Sequence, residues 1–263
     1  MKFTSVSFET LFLYIYHAMK IKILLLLLLS TIVINCSSDS EEQTTIPSDN
    51  EIPEDQLNLD TIKILSLGDS YTIGQSVCET CRFPEQLKSE LESSPNTSGN
   101  LELQVIAQTG WTTTNLISAI ESVSPNNDFD IVTLLIGVNN QFQGRDFSLY
   151  ETEFPELVNT ASALASNNPS NVIVVSIPDY AYTPFGQGFN DSGQISVEID
   201  QYNQFAEDYC FENGISYVYI TDITREGLNN PDLVASDGLH PSELAYSIFV
   251  DRILPIALEK LED

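Results

Sequence analysis

The residues of this chain best suited to making and breaking bonds are Ser70, Asp237 and His240. A serine hydroxyl is a poor nucleophile until a base within hydrogen-bond reach takes its proton. His240 is the only histidine beyond the apolar N-terminal stretch that contains His17, so it is the only candidate imidazole for a folded body. Imidazole exchanges protons near neutral pH, which suits general-base work. Asp237 stands three residues earlier. A carboxylate there would accept the second ring N–H, fix the tautomer and favour the imidazolium. The chemistry such a set can carry is acyl transfer. Its anionic tetrahedral intermediate needs donors, and the backbone N–H groups of Ser70 and Gly110 with the side-chain amide of Asn139 would supply them. Asp69 and Trp111, next to Ser70 and Gly110, and Asp179 and Tyr180, after the fourth apolar run, are expected at the substrate rim, with Tyr182 and Phe185 beside the last two. The competing expectation is a packed surface loop for residues 179–185, and core packing for Trp111.

Elements must bring these residues together from distant parts of the chain. Apolar runs at Ile62–Leu67, Leu101–Ala107, Ile131–Ile136, Val172–Ile177 and Ile215–Ile220 predict five strands. Helical spacing predicts helices over Phe83–Glu92, Leu116–Val123, Tyr150–Ala165, Val197–Glu212 and Pro241–Leu261, the last kinked or split at Pro255. Alternation of this kind predicts a three-layer α/β/α fold around a five-stranded parallel sheet. In such a sheet ligands bind beyond the carboxyl ends of the strands. Gly68-Asp69-Ser70, Thr109-Gly110-Trp111, Gly137-Val138-Asn139-Asn140 and Pro178-Asp179-Tyr180 follow the first four strands, and Asp237-Gly238-Leu239-His240 follows the fifth. All would fall on one edge.

Gly68-Asp69-Ser70, Gly110, Gly137-x-Asn139 and Asp237-x-x-His240, in that order, resemble the four blocks of the SGNH/GDSL hydrolase superfamily. The resemblance spans residues 61 to 261. It implies the flavodoxin-like fold of that family, Ser70 as nucleophile, His240 as base with Asp237 as its partner, and Gly110 and Asn139 as oxyanion donors. It implies no metal and no organic cofactor. One departure is Asn140, where the family often has Asp. Another is the continuation Tyr71-Thr72-Ile73-Gly74 with Cys78 and Cys81 in the following loop. The residues around Ser70 lack the second glycine of an α/β-hydrolase nucleophile elbow.

Charge narrows the partners. The 263 residues carry 38 acidic and 10 basic side chains, a net of −28. Nucleic acid needs clustered Lys and Arg and is excluded as a partner, and the folded body would be repelled by anionic membrane surfaces. The N-terminus reads as a targeting segment. Lys20 and Lys22 precede an apolar run from Ile23 to Ile34, short for a membrane span, which ends at Val33-Ile34-Asn35-Cys36. This is similar to a bacterial lipobox, which implies that residues 1–35 are a signal peptide and that Cys36 is lipidated. A plain N-terminal membrane anchor is the alternative, and Met19 is an alternative start. Residues 36–60 are acidic and polar and read as a tether, leaving residues 61–263 as the hydrolase domain. Cys78-x-x-Cys81 reads as a local disulfide or as two loop thiols. A zinc site would need a second pair of ligands. Cys210 reads as a buried apolar residue.

The expected protein is therefore an exported, lipid-anchored serine esterase, meeting the membrane only through its N-terminal lipid. It would act on a small-molecule or glycan ester, with short acyl or acetyl groups on carbohydrate favoured by the resemblance. A lysophospholipase, thioesterase or acyltransferase of the same fold, and a surface binding protein without catalysis, are the alternatives. Oligomeric state is not legible.

Overall fold

The computed structural model of the chain describes residues 61–262, apart from Asn96 and Ser98. The expected signal segment, the expected lipidation site Cys36 and the expected tether lie outside the described residues. Five strands form one parallel sheet: β1 (Ile62–Gly68), β2 (Leu101–Ala107), β3 (Ile131–Leu135), β4 (Val172–Val175) and β5 (Ser216–Val218). Their order is β2-β1-β3-β4-β5. β3 and β4 are buried along their whole length, as their continuous β-branched and leucine sequences require of inner parallel strands. The edge strand β2 exposes Glu102.

Helices connect the strands. They are α1 (Ser70–Ile73), α2 (Phe83–Ser93), α3 (Thr113–Val123), α4 (Val138–Phe142), α5 (Phe147–Leu164), α6 (Ser192–Asn213), α7 (Thr221–Arg225) and α8 (Glu243–Leu261). α2 packs on α8, while α3 packs on α5 and α5 on α6, giving the expected helix–sheet–helix layers. The core fills the space between, with Phe83, Leu87, Tyr246 and Phe249 on the α2–α8 side and Tyr150, Phe154 and Leu157 from α5. An aromatic cluster joins α5 to α6: Tyr150 and Tyr202 rings lie 4.6 Å apart.

Several boundaries differ from the sequence expectation, and polar side chains explain them. β4 and β5 stop before their apolar runs end. The Ile177 N–H donates to Asn203 Oδ1 at 2.8 Å, and the Ile220 and Thr221 amides donate to Ser176 Oγ at 2.8 and 3.2 Å. Side chains thus replace the ladder from Ile177 onward, after the Ser176 N–H has donated to the Val218 carbonyl at 2.9 Å. α6 starts at Ser192 because Asp191 caps it by accepting from the Gln194 N–H. α3 starts at Thr113 behind a capping box of Thr112 and Asn115. α8 begins after Ser242, whose hydroxyl accepts from Ala245 N–H, and it runs unbroken through Pro255 to Leu261. The expected split at Pro255 does not occur. Ile253 and Ala257, fully buried on either side of Pro255, hold the helix across a single missing N–H.

Because the chain runs from β1 out to β2 and back across to β3, the strand order reverses between β1 and β3. Connections on either side of that point leave in opposite directions and open a crevice at the strands' carboxyl ends.

Candidate active site

Ser70 is the first residue of α1, directly after β1, and is 4% exposed. Asp69 caps that single turn, its Oδ1 accepting from the Tyr71 N–H at 3.0 Å. The other Asp69 oxygen accepts from Asn139 Nδ2 at 3.3 Å. Asp69 is fully buried, and burial pushes its carboxyl up to about 7 against these hydrogen bonds. It was expected at the rim, and the structure corrects this. An N-cap must sit behind its own helix turn, so Asp69 lies beneath Ser70, where it holds Asn139 instead of meeting a substrate.

Asp237 and His240 share one tight turn before α8. Oδ1 of Asp237 accepts from the backbone N–H groups of Leu239 and His240 at 2.9 and 3.0 Å. Oδ2 pairs with His240 Nδ1 at 2.6 Å and accepts from Ser76 Oγ at 2.6 Å. Partial burial alone would raise the Asp237 carboxyl. The donors from Ser76, the His240 ring and the two amides win and hold it well below the usual carboxylate range. Asp237 is therefore an anion at any working pH, with its charge aimed at the imidazole. The Tyr71 ring supports the other face of the unit, 5.2 Å from the imidazole centre.

Gly110 adopts φ +84, a left-handed conformation that side-chain-bearing residues rarely take. Its carbonyl accepts from Gln143 Nε2 at 2.9 Å. The turn leaves its N–H without a protein partner among the described residues. Asn139 lies in the first turn of α4, after Gly137 at φ +132. Its neighbour Asn140 is buried and points the other way, tying the β3 loop to the head of α3. Asn140 Oδ1 accepts from Thr113 N–H at 3.0 Å and Nδ2 donates to Thr113 Oγ1 at 2.6 Å. The Thr113 hydroxyl then donates to Glu153. The departure at position 140 thus concerns a brace between two loops.

Ser70, Gly110, Asn139 and His240 line one cavity of about 240 Å³. Phe142, Phe185 and Tyr180 supply much of its apolar wall. No hydrogen bond joins Ser70 Oγ to the imidazole among the described residues; both groups face the cavity, as in many unliganded sites where this contact closes on binding. Tyr180 keeps its expected place, and its hydroxyl donates to Gln141 Oε1 at 2.9 Å. Asp179 and Trp111 do not. Asp179 is fully buried, accepts from Arg225 Nε at 3.0 Å and caps the turn after β4 through Ala181 N–H. A buried carboxylate requires such partners, and they consume it. Trp111 packs against the hydrophobic core. Phe142 was missed from the sequence, although its position three residues after Asn139 on a helical turn places both on one face. Ser76 was missed because its partner lies 161 residues away. Cys78 and Cys81 form a disulfide, and Cys210 is a buried free thiol whose titration burial pushes up to about 12. Among the described residues no group of three or more His, Cys, Asp or Glu side chains could hold a metal ion, and no helix is long and apolar enough to cross a membrane.

Comparison with solved structures finds the same fold repeatedly. A member of the lipolytic G-D-S-L family from Veillonella parvula superposes with a TM-score of 0.58 at 20% identity, over 74% of this chain and 97% of that one. An acetyl xylan esterase variant from Geobacillus stearothermophilus gives 0.55 at 18% identity, over 74% and 94%. A psychrotrophic esterase from a Pseudoalteromonas species gives 0.53 at 16% identity, over 76% and 99%. No curated protein matches the chain. The GDSL-like lipase/acylhydrolase family profile matches residues 66–248, from inside β1 to inside α8 and across every loop that lines the cavity, and the chain belongs to that family.

Proposed function

We propose that the chain is a serine esterase that hydrolyses small carboxylic esters through an acyl-enzyme. The observation that carries this reading is the Asp237–His240 pair at 2.6 Å, whose ring shares a cavity with Ser70, Gly110 and Asn139. Ser70 Oγ attacks the ester carbonyl carbon while its proton passes to the free ring nitrogen of His240. Asp237 stabilises the resulting imidazolium. The oxyanion is met by the unpaired N–H of Gly110, the second amide hydrogen of Asn139 and the N–H of Ser70. His240 returns the proton to the leaving alcohol. Water, deprotonated by the same nitrogen, then releases the acid from Ser70. Ser70→Ala should fold normally and lose hydrolysis of p-nitrophenyl acetate by about 10³-fold or more. A purified variant retaining a tenth of the wild-type rate would sink the assignment.

Small apolar walls favour a short acyl group. On the far side of Phe142 and Tyr180 lies a second recess of about 350 Å³, where Gln141 Nε2 and Gln194 Nε2 donate to Glu198 at 2.8 and 3.0 Å. Each amide keeps a further N–H. Such a rim matches the hydroxyls of a neutral sugar, so an acetyl group on carbohydrate is the substrate we favour. One observation favours a lipid ester instead: Phe142, Phe185 and Phe189 are all exposed beside the cavity. A series of p-nitrophenyl esters separates the two. Falling kcat/KM beyond butyrate supports the short-acyl reading, and rising values to decanoate overturn it.

The same proposal places the enzyme outside the cytoplasm, held by lipid on Cys36. The Cys78–Cys81 disulfide suits an oxidising compartment. Mass spectrometry of the mature N-terminus tests the anchor: a diacylated or triacylated Cys36 supports it, and an unmodified terminus within residues 37–60 refutes it.

A further inference from the structure

Ser76 occupies the loop between α1 and α2 at φ +69, left-handed backbone that is costly for any residue but glycine. Its surroundings hold it there. Gly74 closes α1 in the same region, and the Val77 N–H returns to the Gly74 carbonyl at 3.2 Å. Two residues past Ser76 the chain enters the Cys78–Cys81 disulfide. The loop ends at Arg82, which is buried and paired with Glu85 at 2.9 Å. From this anchored strap two side chains reach opposite walls of the site. Gln75 Oε1 accepts from the hydroxyl of Thr109, next to Gly110, at 2.7 Å. Ser76 Oγ donates to Asp237 Oδ2, the oxygen that faces His240 Nδ1.

The other donors to Asp237 all come from its own turn: the Leu239 and His240 amides and the His240 ring. They lock acid to base, but they do not lock that pair to Ser70. Among the described residues, the Ser76 hydroxyl is the one donor to Asp237 from another part of the chain, and it stands six residues from Ser70. We propose that Ser76 is a positioning residue that sets the Asp237–His240 pair against Ser70, and that the Cys78–Cys81 disulfide holds the strap carrying it, so that full activity requires this disulfide. The inference rests on Asp237 being the partner of the catalytic base. Both cysteines are accessible. A dithiol that reduces them supplies two electrons and two protons, breaks the S–S bond to two thiols and is itself oxidised to a disulfide.

Ser76→Gly is the decisive variant, because glycine suits the left-handed backbone while the hydroxymethyl group that donates to Asp237 is lost. We expect kcat to fall about three- to tenfold, the range for one partly exposed hydrogen bond to a charge, with KM unchanged and Tm unchanged or raised. The acid limb of kcat/KM should move to higher pH, since Asp237 then interacts more strongly with the imidazolium. Other titratable groups near the pair are Tyr71 from α1, Tyr246 from α8 and Asp69 at the head of α1, and the substitution leaves them all in place. Replacing both cysteines by serine, or treating with dithiothreitol, should lower kcat in the same way in wild type and have little further effect in Ser76→Gly. Wild-type kcat and pH profile in Ser76→Gly overturn the inference, as does a cysteine effect of full size in that background. Ser70→Ala assayed in parallel separates the outcomes: if it is inactive while Ser76→Gly is unimpaired, the esterase reading stands and only the strap's role is lost.

Discussion

Asp69 is the residue whose chemistry differs most from its sequence expectation. Its carboxyl titrates near 7 in the folded chain and near 4 when unfolded. Between those values the native state keeps a proton that the unfolded chain releases, so this group's contribution to stability falls as pH rises from about 4 to about 7. Asp69→Asn keeps a capping oxygen and has no charge to bury. Relative to wild type it should gain on the order of 2 kcal/mol between pH 4.5 and 7.5, read from urea midpoints at the two pH values. Asp237 moves the opposite way and titrates below this window, so it leaves the difference untouched. Activity carries the same signature. The Asp69 carboxylate accepts from Asn139, so under the proposed mechanism the pH profile of kcat/KM in wild type should contain a component near 7. Asp69→Asn should remove it, and a profile identical to wild type would refute this.

At the scale of elements, Gly110 and Gly137, two of the positive-φ glycines beside the site, differ in a way that can be measured. A Cβ on Gly110 would meet nothing within 4 Å, so Gly110→Ala bears only the backbone cost, about 1 kcal/mol. A Cβ on Gly137 would lie 2.7 Å from the Tyr150 ring, itself packed among Phe154 and Tyr202. Gly137→Ala should therefore destabilise by about 3 kcal/mol and lower kcat by displacing Asn139, while Gly110→Ala acts on kcat with little loss of stability. Equal urea midpoints for the two variants would contradict the packing argument.

The sheet was legible in the sequence because inner strands such as β4 are unbroken apolar runs that no exposed element would tolerate. Ser70, Gly110 and Asn139 were legible as positions because each follows a strand end, and Asp237 and His240 because they precede the last helix. The rim was not. Whether Asp179 faces a substrate or Arg225 depends on a pairing 46 residues apart, and no local pattern encodes it. Strand ends were misplaced for the same reason, since Asn203 reaches Ile177 across 26 residues.

For the whole molecule, a net charge of −28 sets which substrates approach. Long-range repulsion should depress kcat/KM for an anionic ester, such as a succinate half-ester, and relax as salt shortens the Debye length from about 30 Å at 0.01 M to about 8 Å at 0.15 M. A neutral acetate ester should show no such response. A salt effect of equal size on both would argue against electrostatic steering.

The proposed nucleophile follows the first strand, whereas its proposed base and acid precede the last helix, so synthesis delivers them at opposite times. A nascent chain that has emerged only as far as α7 already carries Ser70, Gly110 and Asn139, yet it lacks His240, the base proposed to accept the proton. The α8 segment that follows His240 also covers α2. Hydrolysis therefore begins only when the last tenth or so of the polypeptide has emerged and docked. The order of residues along the chain acts as a timer that keeps the serine inert while the polypeptide is being made.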